Sequence, residues 1–392
     1  MRILKNFFVI MLTCLCCIFM SGCWDKVEID RKIFVLGVGV DAGKDIKKED
    51  IIKSSPLQFP KTEEEMKRLK VTYSFPDLKK IKEATAETES ITVDAYSLSA
   101  ANNEVNSISS RTLYMGHSKL LLFGSELFQY KDTVKEIIDY IERHPAFSRN
   151  IYVLVCDGKA EQYIKFKPTI EKNIEAYVIG LIDNNEKNGI IQGLTLNEFL
   201  LNLSGNGSSM MPMISMDKEN NEIKIAKTAI VKDYKIIGEL SKEDMNTLQI
   251  MKGKMQGGNR VIIYKKHPMD YIIDGSERKI KFAKKNDKMV FNINIKLEGR
   301  IDSHGMNMNL LSKDEVENIE KGFDKVIKDQ CQRFIEVSKE KYKSDFIGLK
   351  EYVKKYHPKD FKEVEDNWDE AFVNSIININ VESDIRRIGV TR

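Results

Sequence analysis

The residue with the clearest chemistry is Cys23, which follows the small residues Ser21 and Gly22. Small side chains before a cysteine suit the narrow site of a lipoprotein signal peptidase. The thiol would accept diacylglycerol, and cleavage would leave Cys23 as the new N-terminus. Upstream, Arg2 and Lys5 form a short basic segment, and Phe7 to Met20 is free of charge. Fourteen uncharged residues are short for a membrane-spanning helix but suit the hydrophobic region of a signal peptide. Met20 stands where leucine is usual. The residues leave open an ordinary signal peptide or an uncleaved anchor, with Cys23 incidental. Two acyl chains would hold the chain durably at a membrane, whereas one gives marginal binding.

Elsewhere, residues that could do chemistry fall short of the patterns chemistry needs. Gly37-Val38-Gly39 follows a strand-like run, but the next glycine is Gly43, one place too far for a dinucleotide loop. Gly253 and Gly258 have phosphate-loop spacing, yet Asn259-Arg260 replaces the lysine and hydroxyl residue that would hold phosphate and magnesium. The histidines, His117, His144, His267, His304 and His357, include no pair at the spacing of a metal site. No serine sits in a nucleophile-elbow motif, and Asp314-Glu315 suits a solvated helix start. Cys156 and Cys331 are expected as small buried residues rather than a bridge. No catalytic, metal or cofactor site is therefore assigned, and any ligand site is left unknown. Trp368 is expected to anchor a long helix against a sheet, with a partner contact as the other reading.

The elements that must carry these residues divide the chain. Its 392 residues suggest two or three domains. The sequence holds 62 Lys+Arg against 59 Asp+Glu; without the first 22 residues the balance is 60 to 59, too even for the positive field of a nucleic-acid binder. Strands are expected at Ile33–Asp41, Leu69–Phe75, Ile91–Ala95, Ser118–Phe123 and Ile151–Val155, alternating with helices as far as Leu203. Ser204-Gly-Asn-Gly-Ser-Ser209 then reads as a linker. Short strands follow, with one helix at Lys242–Met251; Tyr271–Asp274 and Lys279–Ala283 read as separate strands. Phe291, Ile293, Ile295 and Leu297 alternate with polar neighbours. Ser312 and Glu315 form a capping box for a helix whose apolar stripe includes Cys331. Ile377, Ile379 and Val381 make a closing strand. The expectation is a mixed α+β, multi-domain chain: a signal peptide over 1–22, an α/β region over 23–204 with room for two subdomains, a linker over 205–221, and a C-terminal domain over 222–392 in which a long helix packs an antiparallel sheet.

Several segments together resemble the Ger(x)C lipoproteins, the C subunits of spore germinant receptors. They are Cys23-Trp24-Asp25, Glu28-Ile29, Val35-Leu36-Gly37-Val38-Gly39-Val40-Asp41, Gly116-His117-Ser118-Lys119, Asp345-Phe346-Ile347-Gly348 and Tyr356-His357-Pro358, with Trp368 and the final strand into Ile388-Gly389. A histidine between Tyr356 and Pro358 departs from the family's Tyr-Pro. The resemblance implies a mixed α/β fold usually divided into three domains and a non-catalytic role. It also implies a diacylglyceryl anchor at Cys23 on the outer face of the spore inner membrane. The partners would be a multi-span A subunit and a permease-like B subunit, with no nucleic acid. The alternative is a lipid-anchored solute-binding protein of a transporter, which calls for two similar lobes around a hinge. A surface hydrolase has no motif in its favour.

Overall fold

The computed structural model describes residues 2, 5, 6, 31–49, 66–77, 88–217, 219–286, 288–304 and 313–388. Cys23, Trp24, the apolar run before them, residues 50–65, Ser312 and Gly389 lie outside the described residues.

The first half centres on four parallel strands, β2 (Gly37–Ala42), β6 (Leu120–Gly124), β7 (Tyr152–Cys156) and β8 (Ser208–Asp217). Parallel neighbours need long crossovers. The first is β3 (Leu69–Pro76), β4 (Thr88–Ala95), α1 (Leu98–Ile108) and β5 (Thr112–Tyr114); α2 (Lys131–Arg143) is the second; α3 (Ala160–Ile164), α4 (Ile174–Lys187) and α5 (Leu196–Asn206) are the third. The central strands are covered on both faces, which is why Leu120-Leu121-Leu122-Phe123 is continuously apolar. Leu121 and Phe123 face a core with Val105, Ile137 and Phe199. Leu120 and Leu122 face another with Ala160, Ile164 and Val178.

Three expectations fail here for identifiable reasons. The run 33–41 is not one strand: β1 (Lys32–Phe34) pairs in parallel with β5, and β2 starts afresh at Gly37. Nor is 205–221 a linker. Gly207, at φ 64°, closes α5 in the left-handed conformation that glycine adopts without strain, and β8 begins at once. Pro212 is tolerated because β8 meets β7 only from Met213 onward, so no neighbour on that side needs its missing N–H. β9 (Glu222–Lys232) and β10 (Lys235–Ser241), expected with the second half, extend the first sheet to eight strands in the order β10-β9-β8-β7-β6-β2-β3-β4.

The second sheet holds β11 (Asn259–Tyr264), β12 (His267–Lys285), β13 (Lys288–His304) and β14 (Ile376–Ile388) in that order. It is not wholly antiparallel. β14 runs parallel to β13 because a helical crossover joins them: α7 (Lys313–Val337), a π-helical turn at Ser338–Tyr342, α8 (Leu349–Tyr356), α9 (Pro358–Val364) and α10 (Trp368–Asn374). The α7 stripe of Ile319, Phe323, Ile327, Cys331 and Phe334 packs with Phe291, Ile293, Ile295, Ile379 and Val381. Between the sheets lies α6 (Lys242–Lys252), opened by a Ser241–Asp244 capping box. The whole is a mixed α+β fold.

Candidate functional site at the junction of the two sheets

The sequence-singled segments have clear local tasks. Lys119 N–H donates to the Leu36 carbonyl at 2.7 Å and the Ser118 hydroxyl to the Val35 carbonyl at 3.4 Å. Gly116–Lys119 thus ties β6 to the break between β1 and β2. His117 is exposed, its ring 5.2 Å from Phe34 and 5.6 Å from Tyr114. Gly39 lets α3 approach β2: a Cβ there would lie 2.9 Å from Ile164. Asp41 caps α3 from across the sheet, its carboxylate accepting from Ala160 N–H at 2.6 Å and Glu161 N–H at 2.9 Å. Burial raises the Asp41 pKa against the pull of those amides. His357 precedes α9 with its ring 4.7 Å from Phe282. Trp368 opens α10, buried, 6.1 Å from the Phe361 ring. Cys156 and Cys331 are free and buried, and burial raises both thiols, Cys331 to about 12 despite the nearby Arg260. These assignments are structural.

Asp345 is different, because it folds against the junction. Its carboxylate accepts from the N–H groups of Ile347 at 3.0 Å, Gly348 at 2.9 Å and Lys350 at 2.7 Å, starting α8. Gly348 has φ 83°, which explains a glycine three places after the aspartate. Burial raises the Asp345 carboxyl, opposed by those amides and by Lys252.

Beside this turn is a cleft of about 320 Å³, bounded by α5, β8 and β9 on one side and by the end of α6 and residues 345–351 on the other. Its polar lining includes Asn202, Ser209, Thr228 and Lys252. The Asn202 amide donates to the Ser209 hydroxyl at 3.3 Å. Thr228 is buried, and its hydroxyl has no hydrogen-bond partner among the described residues. Desolvation brings the Lys252 ammonium down to about 8; Lys254 and Arg278 push the same way and Asp345 opposes them. Among the described residues, no carboxylate lies within ion-pair distance of Lys252. Sequence reasoning reached the Asp345 lip but missed Lys252 and Thr228. One lysine among 62 basic residues carries no spacing signal.

Two family models match the chain. The "Spore germination protein N-terminal domain" covers residues 25–216, and "Spore germination B3/ GerAC like, C-terminal" covers residues 226–389. The chain belongs to this family. Its two models meet around the β8–β9 turn, inside the first sheet. Spore germination protein B3 of Bacillus subtilis (strain 168) is 25% identical over 94% of this chain and 95% of its own. Spore germination protein A3 of the same strain is 24% identical over 96% of each. The crystal structure of the GerBC protein matches with a TM-score of 0.60 at 22% identity, over 84% of this chain and 97% of that one. That likeness establishes the fold.

Proposed function

We propose that this protein is the non-catalytic C subunit of a spore germinant receptor, scaffolding or coupling a membrane complex that starts germination when nutrients appear. A diacylglyceryl group on Cys23 holds it to the outer face of the spore inner membrane, where a multi-span A subunit and a permease-like B subunit are its partners. The observation that carries this reading is the end-to-end family match, which begins two residues after Cys23 and runs to residue 389. The solute-binding alternative calls for two similar lobes, whereas among the described residues the two larger sheets have eight and four strands with unlike orders.

Among the described residues, no helix is long and apolar enough to cross a membrane; in this reading attachment is through Cys23. The test is fatty-acid labelling and membrane fractionation of Cys23→Ala, with copurification of the permease-like subunit. The variant is expected to lose label and stable attachment, and to recover less of the partner because tethering no longer raises local concentration. Label retained in Cys23→Ala would refute the anchor. Copurification of the unaltered protein with a transporter ATPase instead would favour the alternative.

A further inference from the structure

The junction cleft contains an ammonium, Lys252, that meets no carboxylate at ion-pair distance among the described residues. An ammonium drawn out of water is costly unless an anion meets it. Lys252 is half-buried at the last turn of α6, where the helix dipole favours a cation but supplies no counter-ion. The acids that share the cleft are committed elsewhere or lie at its mouth. Asp345 is held by three backbone amides. Glu198 accepts from the Thr195 N–H at 2.9 Å and hydroxyl at 2.8 Å. Glu351 is exposed.

We propose that this cleft binds a small organic carboxylate, seated on the Lys252 ammonium with the Thr228 and Ser209 hydroxyls as further donors. The volume is at the lower end of the range for small-molecule sites. Hydroxyls beside the Lys252 ammonium suit a carboxylate, and Lys254 adds a second positive charge to the lining. Phosphate is held best where forked guanidinium groups or nests of free backbone N–H groups join a lysine, and here the nest that could form before α8 is filled by Asp345. Because the cleft has walls from both halves of the chain, a bound carboxylate would bridge β9 to the end of α6. The assignment is independent of the receptor reading and of lipid attachment.

The test uses the full chain in detergent micelles, with calorimetry against succinate, L-alanine and inorganic phosphate. Succinate or alanine is expected to bind with one-to-one stoichiometry. Lys252→Met should weaken that binding by about tenfold or more, and Thr228→Val by several-fold. Near-UV circular dichroism checks that each variant keeps its fold. Should Lys252→Met misfold, the unaltered protein still decides the matter, since its affinity for succinate must fall as pH rises past about 8. The other charged groups around Lys252 in that titration are Lys254, Arg278 and Asp345, with Glu351 on the same wall and Glu198 across the cleft. Three results would overturn the assignment. They are no binding of either carboxylate at tens of millimolar, binding indifferent to both Lys252→Met and pH, or binding of phosphate alone.

Discussion

Replacing Glu175 with glutamine should stabilise the fold at alkaline pH and leave it nearly unchanged in mild acid. Glu175 lies in the first turn of α4, 2% exposed, packed against Gly37 of β2 and Ser74 of β3. Its Oε1 is hydrogen-bonded to the Ser74 hydroxyl, which is also 3.3 Å from the Gly37 carbonyl. Ser74 has only one proton to give. If that proton goes to Gly37, the contact with Glu175 requires the carboxyl to be the donor, and hence protonated. Burial raises the Glu175 pKa, outweighing the Ser74 hydrogen bond, and Oε2 has no partner among the described residues to stabilise a charge. A folded pKa above the unfolded 4.5 means that the native state binds more protons as pH passes 4.5. This contribution to stability is therefore complete below that value and is lost as pH rises through the folded pKa. Each unit of difference is worth about 1.4 kcal/mol, and leaving a buried polar group unsatisfied costs about 1–3 kcal/mol. Glutamine mimics the protonated acid, since its amide can donate to Ser74. Urea midpoints of the two proteins should coincide near pH 4.5 and separate by about 1–3 kcal/mol near pH 8, in favour of Glu175→Gln. A difference independent of pH would refute the protonated hydrogen-bond chain.

Other substitutions test the packing. Asp41→Ala strips the acceptor from the Ala160 and Glu161 N–H groups and should cost about 2 kcal/mol in urea unfolding. Gly238→Ala drives a methyl group into the Tyr342 ring, whose hydroxyl donates to the Glu239 carbonyl at 3.1 Å; a loss of about 1–3 kcal/mol is expected, with the ring's near-UV signal altered. Cys331→Ser buries a hydroxyl in the α7 core and should lower the thermal midpoint at a cost of about 1–3 kcal/mol, while fatty-acid labelling is unchanged.

What was legible in the sequence was whatever a local pattern decides. The alternation over Phe291–Leu297 lies within β13, and the α7 stripe buries Cys331 as its period requires. Pairing partners far along the chain decided the rest. Val35 is fully buried, so hydropathy runs smoothly through the break between β1 and β2; only the distant β5 draws β1 away. Tyr271–Asp274 and Lys279–Ala283 read as separate strands, yet β12 runs continuously through Gly275 with register shifts at Asp270/Tyr271 and Ile273/Gly275. Glycine there eases a bulge rather than ending a strand. The cleft was illegible for the same reason: Thr228 and Lys252 line one cleft only because β9 joins the first sheet and α6 ends beside Asp345.

The position of β9 and β10 also constrains how the molecule can move. Ile230 and Leu240 belong to the first sheet but share one core with Tyr271 and Phe291 of the second, and α6 fills the space between. Met245, Leu248, Ile250 and Met251 are buried on several sides of that helix, whereas a surface helix would bury a single stripe. The Asn246 side chain donates to the Gly189 carbonyl, and the Tyr342 hydroxyl to the Glu239 carbonyl. Hinge opening would expose those side chains and break those bonds together, at about 1.5–3 kcal/mol for each large apolar side chain uncovered. Any large displacement within the molecule would therefore carry both sheets as one body. Ligand in the junction cleft would tighten that body further, by joining groups that already move together.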